Sequence, residues 1–264
     1  MISDYPTYAG LVNAPYQIEY EQKSSITTVQ GRTYSLWATA QDAGAAPTVS
    51  AVPTNATTGT FKQFDSATRQ SLALTGMDLG NPGAIIVCDR LVHQGGLSGV
   101  VIGGNVTNLP TSALTRYTSG SGVMAALEIY TQIGATGTTV TVSGIFSDGT
   151  LGVSPALTFG ATGFREINRF MILPMPAGKT GWQQVTNVNI LATTGTAGNF
   201  GVTLFKPLAI YFDLSPGMQF IYDSIIGGGG NIPFIPNTSA LFMLVISNAV
   251  TSGALTSRHV FIEG

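Results

Sequence analysis

Charged side chains are what this sequence has least of. Asp, Glu, Lys and Arg make up 9% of its 264 residues, against roughly a quarter in an ordinary soluble domain. A surface so poor in charge has little to keep it apart from its neighbours, which predicts that other subunits cover much of it. The eleven basic residues are scattered from Lys23 to Arg258, and the formal charge is only -2. Phosphate contacts need clustered Lys and Arg, so direct nucleic-acid binding is disfavoured. The acidic residues are equally dispersed and outline neither an acidic tail nor a calcium loop.

Cysteine is nearly absent as well. The single Cys88 excludes an intrachain disulfide framework and any multi-cysteine zinc site. With two histidines, His93 and His259, a metal site would need a long-range meeting of both with suitable carboxylates, and no metal or cofactor is expected. Long apolar runs are missing too: residues 240–246, the longest, fall far short of the roughly 20 that a membrane-spanning helix needs. They suit a buried strand, and no membrane partner is expected. The first residues carry neither a basic nor an apolar leader region, which predicts synthesis in a cytoplasm.

What is plentiful is strand-forming sequence. From residue 84 onward, runs rich in Val, Ile, Thr, Phe and Tyr alternate with Gly, Pro, Asn and Ser clusters, giving about eight to ten candidate strands. They lie at 84–89, 97–102, 123–133, 138–146, 166–173, 185–193, 201–205, 208–214, 240–247 and 257–262. The pair 123–133 and 138–146, joined by Gly134-Ala135-Thr136-Gly137, reads as a hairpin. Strands without intervening helices predict antiparallel pairing in a mainly all-β fold, a β-sandwich or jelly roll. Residues 1–80 differ. Pro6, Pro15, Pro47 and Pro53 interrupt them, which predicts an extended, partly irregular N-terminal arm with possible short helices at 20–29 and 66–74, ahead of a body at 81–264. The four glycines 227–230 mark a loop.

Chemistry-bearing patterns are thin. Gly178-Lys179-Thr180 has the end of a phosphate-binding loop but lacks its first glycine and a following helix, so a polar turn accounts for it. Cys88, Asp89 and His93 could form a nucleophile, acid and base, yet a strand through 84–89 points Cys88 and Asp89 to opposite faces. His93 is expected in a loop. Glu128 and Asp148 are the one strand-associated carboxylate pair, although Asp148-Gly149 reads as turn chemistry. Arg165, Glu166 and Arg169 could pair across a subunit contact or within the chain. No catalytic residue is assigned. The early aromatics Tyr5, Tyr8, Tyr16, Tyr20, Tyr34 and Trp37 are candidate interface anchors, because Tyr and Trp bury large area with few rotors. The alternative is that they pack on the chain's own sandwich.

Four stretches add a resemblance. Leu91-Val92-His93-Gln94-Gly95-Gly96-Leu97-Ser98-Gly99, Leu114-Thr115-Arg116-Tyr117-Thr118, Leu127-Glu128-Ile129-Tyr130-Thr131 and Thr194-Gly195-Thr196-Ala197-Gly198-Asn199-Phe200-Gly201-Val202-Thr203-Leu204 resemble structural proteins of tailed-bacteriophage virions. Head decoration (cement) proteins are the most similar class. The resemblance implies a non-enzymatic β-rich protein, made in the bacterial host cytoplasm and seated on the capsid exterior. It would bridge subunits of the major capsid protein and associate with itself, plausibly as a homotrimer. A tail-associated receptor-binding or baseplate jelly roll is the alternative, using aromatics such as Trp182 or Tyr222 to stack on host-surface glycans.

Overall fold

Runs rich in β-branched and aromatic residues become strands, except the candidate at 97–102, where residues 98–102 form no strand. The computed structural model describes residues 5–61, 70–106, 114–162, 164–213, 220–223 and 234–263. Among these, one helix, α1 (Tyr5–Asn13), precedes sixteen strands. They are β1 (Gln17–Lys23), β2 (Arg32–Ser35), β3 (Gln70–Leu79), β4 (Gly83–Leu97), β5 (Asn105–Val106), β6 (Met124–Thr131), β7 (Thr138–Phe146) and β8 (Leu151–Val153). There follow β9 (Leu157–Phe159), β10 (Phe170–Ile172), β11 (Trp182–Ile190), β12 (Asn199–Asp213), β13 (Phe220–Asp223), β14 (Phe234–Ile235), β15 (Leu241–Ser247) and β16 (Leu255–Glu263).

Six strands in the order β10-β6-β12-β4-β15-β2 form the central sheet. It curls until its edges meet, where Tyr34 bridges Arg169 and the Ser35 amide donates to the Asn168 carbonyl at 2.8 Å. Every pairing in it is antiparallel, so the result is a near-closed barrel with little free edge along its closed part. Inside, Phe170, Phe205 and Phe242 from three strands bring their ring centroids within 5.1 to 6.4 Å of one another. Cys88, Ala126, Leu244 and Trp37 complete that interior. Outside, the sheet β1-β16-β3-β13, with β14 on β3, covers one half. It buries Ile85, Val87, Met243 and Val245 against Leu255 and Phe261. The sheet β5-β11-β7-β8, with β9 on β7, covers the other half. It buries Leu127, Ile129, Val202 and Leu204 against Val142, Trp182 and Val188. Each such side chain contributes about 1.5–3 kcal/mol of burial.

The all-β antiparallel expectation holds. The division at residue 80 does not, because β1 pairs with β16, β2 with β15 and β3 with β16. Of this stretch, β1, β2 and β3 are structural members of two sheets. The helix expected at 20–29 is corrected, since β1 occupies Gln17–Lys23; of the helix expected at 66–74, residues 70–74 belong to β3 and the rest lie outside the described residues. The hairpin also fails: β6 belongs to the barrel and β7 to an outer sheet. Gly134 donates to Thr194 Oγ1 and Thr136 to the Thr194 carbonyl, and this anchored corner carries the chain from one layer to the next. The candidates 201–205 and 208–214 are one strand, β12, which passes Pro207 through an irregularity in its register with β4. Proline lacks the donor a regular ladder needs, and the shift absorbs it. Residues 227–230 lie outside the described residues.

Candidate functional site

In a chain with so few charges, their placement is informative, and many of them are buried. Asp89 and Arg90 are neighbours on β4 and therefore point to opposite faces. Arg90 enters the barrel. Its Nη1 and Nη2 donate to Glu128 Oε2 and Oε1 at 2.8 and 2.9 Å, the planar two-point geometry that suits guanidinium to carboxylate. Trp37 and Phe242, set edge to face with each other, both pack against it, their ring centroids 4.3 and 4.5 Å from Arg90 Cζ. Thr203 and Tyr130 each donate a hydroxyl to Glu128 Oε2 at 3.0 Å. His93 Nδ1 sits 2.9 Å from Arg90 Nη1; a guanidinium only donates, so this nitrogen carries the lone pair.

Asp89 faces outward into a second enclosed cluster. It accepts from Arg116 Nε and Nη2 at 3.0 and 2.9 Å, from Ser239 Oγ at 2.7 Å and from the Ala240 amide at 2.9 Å. Arg116 also donates to the carbonyls of Pro53 and Arg90. A third buried pair, Glu21 and Lys23, stands 3.0 Å apart on β1, and Lys23 reaches the Gln41 carbonyl.

These surroundings move the titrations. Burial raises the Asp89 and Glu21 carboxyls despite their cationic partners. Burial would raise Glu128 too, but the charge and hydrogen bonds of Arg90 outweigh it and hold Glu128 below its ordinary value. Burial, and then the Glu128 charge, push Tyr130 well above the ordinary phenol range. Burial takes both histidines down to about 3, with Arg90 adding to the effect at His93. Both carboxylates, Asp89 and Glu128, spend their oxygens on protein donors inside closed space, an arrangement that holds elements together.

The sequence candidates separate accordingly. Cys88 packs in the barrel interior, Asp89 binds Arg116 and His93 binds Arg90, so the three do not meet as a nucleophile, base and acid. His93 is on a strand, which corrects its expected loop placement. Glu128 is enclosed with Arg90, whereas Asp148 caps its own turn through Thr150 and pairs with Lys179 at 2.6 Å. The Lys179 amide closes a turn onto the Pro176 carbonyl, as the polar-turn reading expects. Glu166 pairs with Arg32 within the chain, and Arg169 donates to the Thr33 carbonyl. Among the described residues no group of three His, Cys, Asp or Glu is gathered as metal ligands, and no helix is long and apolar enough to cross a membrane.

Of the six aromatics, Tyr8, Tyr34 and Trp37 are buried within the chain itself, which corrects their reading as anchors for a partner. Tyr16 and Tyr20 are exposed, Tyr20 at 69%, and the Tyr5 side chain lies outside the described residues. Trp182 is fully buried against Phe146 and cannot stack on a sugar; the Tyr222 side chain lies outside the described residues. Sequence reasoning missed Arg90, Arg116 and Tyr130. The available signal was two consecutive charges, Asp89-Arg90, inside an apolar run, and Glu128 set between Leu127 and Ile129.

One surface stands out by its exposure. β6 pairs with β12 only over residues 199–205, so below that level the barrel opens into a lip. Ile210 pairs in register with Ile86, and Phe212 with Ala84, which in turn pairs with Ile246. Phe212 is 60% exposed and Ile210 43%. An apolar row on the open inner face of a sheet is a surface that favours a cover.

The fold is thus of the all-β class, a near-closed antiparallel barrel held between two outer sheets. No family model and no curated protein matches the chain. Solved structures return viral coat proteins at low similarity. The structure of the infectious bursal disease virus Gt strain gives a TM-score of 0.18 at 10% identity, over 94% of this chain and 81% of that one. The VP2 subviral particle of the same virus gives 0.18 at 9%, over 95% and 81%. Values this low establish no shared fold.

Proposed function

We propose that this protein is a non-catalytic structural component of a bacteriophage particle that binds the capsid exterior and bridges neighbouring capsid subunits. The observation that carries the reading is the apolar lip of Ile210 and Phe212 on a molecule with 9% charged residues. Such a surface favours contact with another apolar surface. The phage-like sequence phrases at 91–99, 114–118, 127–131 and 194–204 point the same way. Weak contacts repeated over a shell hold firmly, because each bound copy raises the effective concentration of its remaining contacts.

The test mixes purified protein with capsids assembled without it and sediments them. Wild-type chain is expected in the capsid fraction, and Phe212→Ser combined with Ile210→Ser is expected to lose about tenfold or more in affinity. Labelled protein that decorates the tail and leaves the head bare overturns the capsid reading. Light scattering of the free protein tests self-association as a trimer.

A further inference from the structure

Residues 38–61 cross the barrel as a strap without a ladder of their own; their one strand-like contact is the Ala51–His93 bridge. They cover Trp37. A Cβ on Gly44 would fall 2.1 Å from Trp37 Nε1, and one on Gly59 would fall 2.9 Å from Trp37 Cε2, so two glycines seal the indole. Two tethers of the strap end on buried cations. Lys23, paired with Glu21, holds the Gln41 carbonyl at 3.2 Å. Arg116, paired with Asp89, holds the Pro53 carbonyl at 3.0 Å. Arg90 lies against Trp37, which also meets the His93 ring edge-on at 5.6 Å. Ala51 and His93 exchange both backbone hydrogen bonds at 2.9 and 3.0 Å. At the far end Phe61 stacks on His259, centroids 4.4 Å apart and 11° from parallel. The only two histidines of the chain therefore both meet this one segment, His93 through its backbone at Ala51 and His259 through its ring at Phe61.

We infer that residues 38–61 are an acid-releasable strap, which lifts from the barrel when His93 and His259 take up protons and uncovers Trp37 while the strand ladders stay paired.

Protonation breaks the first contact and places a charge on a fully buried ring at the second. At His93 the Nδ1 lone pair accepts from Arg90, and a proton there would set two cations 2.9 Å apart. Arg90 opposes that proton, whereas Glu128, with Tyr130 bonded to it, favours it. His259 is wholly buried beneath Phe61, with Ser257 Oγ 3.0 Å from its Nε2. Glu19 is its register partner on β1, the Glu21–Lys23 pair lies next along that strand, and Asp42 on the strap acts on Glu21. Burial dominates at both rings, so lifting the strap hydrates them and lets both ionise together. Two linked protons make the open population rise up to about 100-fold per pH unit between roughly pH 6.5 and 3.

Site-resolved hydrogen exchange on the full chain, corrected for intrinsic rates, reads this directly. Opening at Gly44 and Ala51 is expected to climb up to about 100-fold per pH unit as pH falls, and about 10-fold in His93→Gln or His259→Gln. Amides of β12, and of β4 apart from His93 where the strap is bonded, are expected to stay protected over the same range. Equal loss of protection in the strap and in β4 overturns the inference, as does a slope that both variants leave unchanged. Should a variant not fold, the wild-type chain decides. Its histidine ring resonances and the fluorescence of Trp37 must titrate together, and ring titration that leaves the strap closed refutes release.

Discussion

Arg90 shows at the scale of one residue how a charge is kept inside a barrel. Its guanidinium packs against both Trp37 and Phe242 and pairs with Glu128 at two points, a combination lysine cannot reproduce. Glu128→Gln leaves the buried cation uncompensated and is expected to cost about 3–5 kcal/mol, read as a lower urea midpoint. Arg90→Met combined with Glu128→Leu removes both charges and is expected to recover most of that loss. The sequence marked Glu128 as a strand-borne acid, but its partner was hidden. The two meet because β12 stands between β4 and β6, and that strand order is a long-range fact no local pattern encodes.

Glycine placement decides matters at the scale of the element. Gly201 lies where β12 passes β4, and a Cβ there would fall 2.0 Å from the Gln94 carbonyl. Gly201→Ala is expected to lower stability by about 1–3 kcal/mol, because backbone must give way. Gly10, in α1, meets nothing within 4 Å, so Gly10→Ala is expected to raise stability by about 0.5–1 kcal/mol. Opposite shifts in thermal midpoint check the pair. The same distinction explains where the strand reading went astray. Gly95 and Gly96 look like the end of a strand but sit inside β4, and a Cβ on Gly95 would meet the Pro47 carbonyl at 2.3 Å. Glycine there admits the strap, a role that leaves the same trace in sequence as a turn. Where the pattern was strong, alternating at 138–146 and continuously apolar at 240–247, strands formed within a residue of expectation.

For the whole molecule, closure of the barrel depends on its first forty residues, since β2 meets β10 at the Tyr34–Arg169 bridge. A sequence-level arm would be dispensable; removing residues 1–40 is instead expected to abolish the folded circular dichroism signal. Stability should also follow pH with a definite sign. Both histidines sit at about 3 when folded against about 6.5 unfolded. The unfolded chain therefore binds more protons across that window, and stability falls as pH drops from about 6.5 to 3. The shift corresponds to about 4–5 kcal/mol per ring at the acid end. Asp89 and Glu21, raised by burial, act oppositely and return part of it below about pH 5. Urea midpoints at pH 7 and pH 4 are expected to differ by the histidine contribution, with the pH 4 value lower.

The pairing of β1 with β16 sets Gln17 beside Phe261 and Lys23 beside Leu255. A chain leaving the ribosome must therefore carry β1 without its partner until residues 255–261 have been made. The outer sheet then forms only after synthesis of β16, which places folding among the slow, high-contact-order cases. Until that moment the nascent β1 is an exposed template for pairing with other copies, and the rate of chain completion sets how long that hazard lasts.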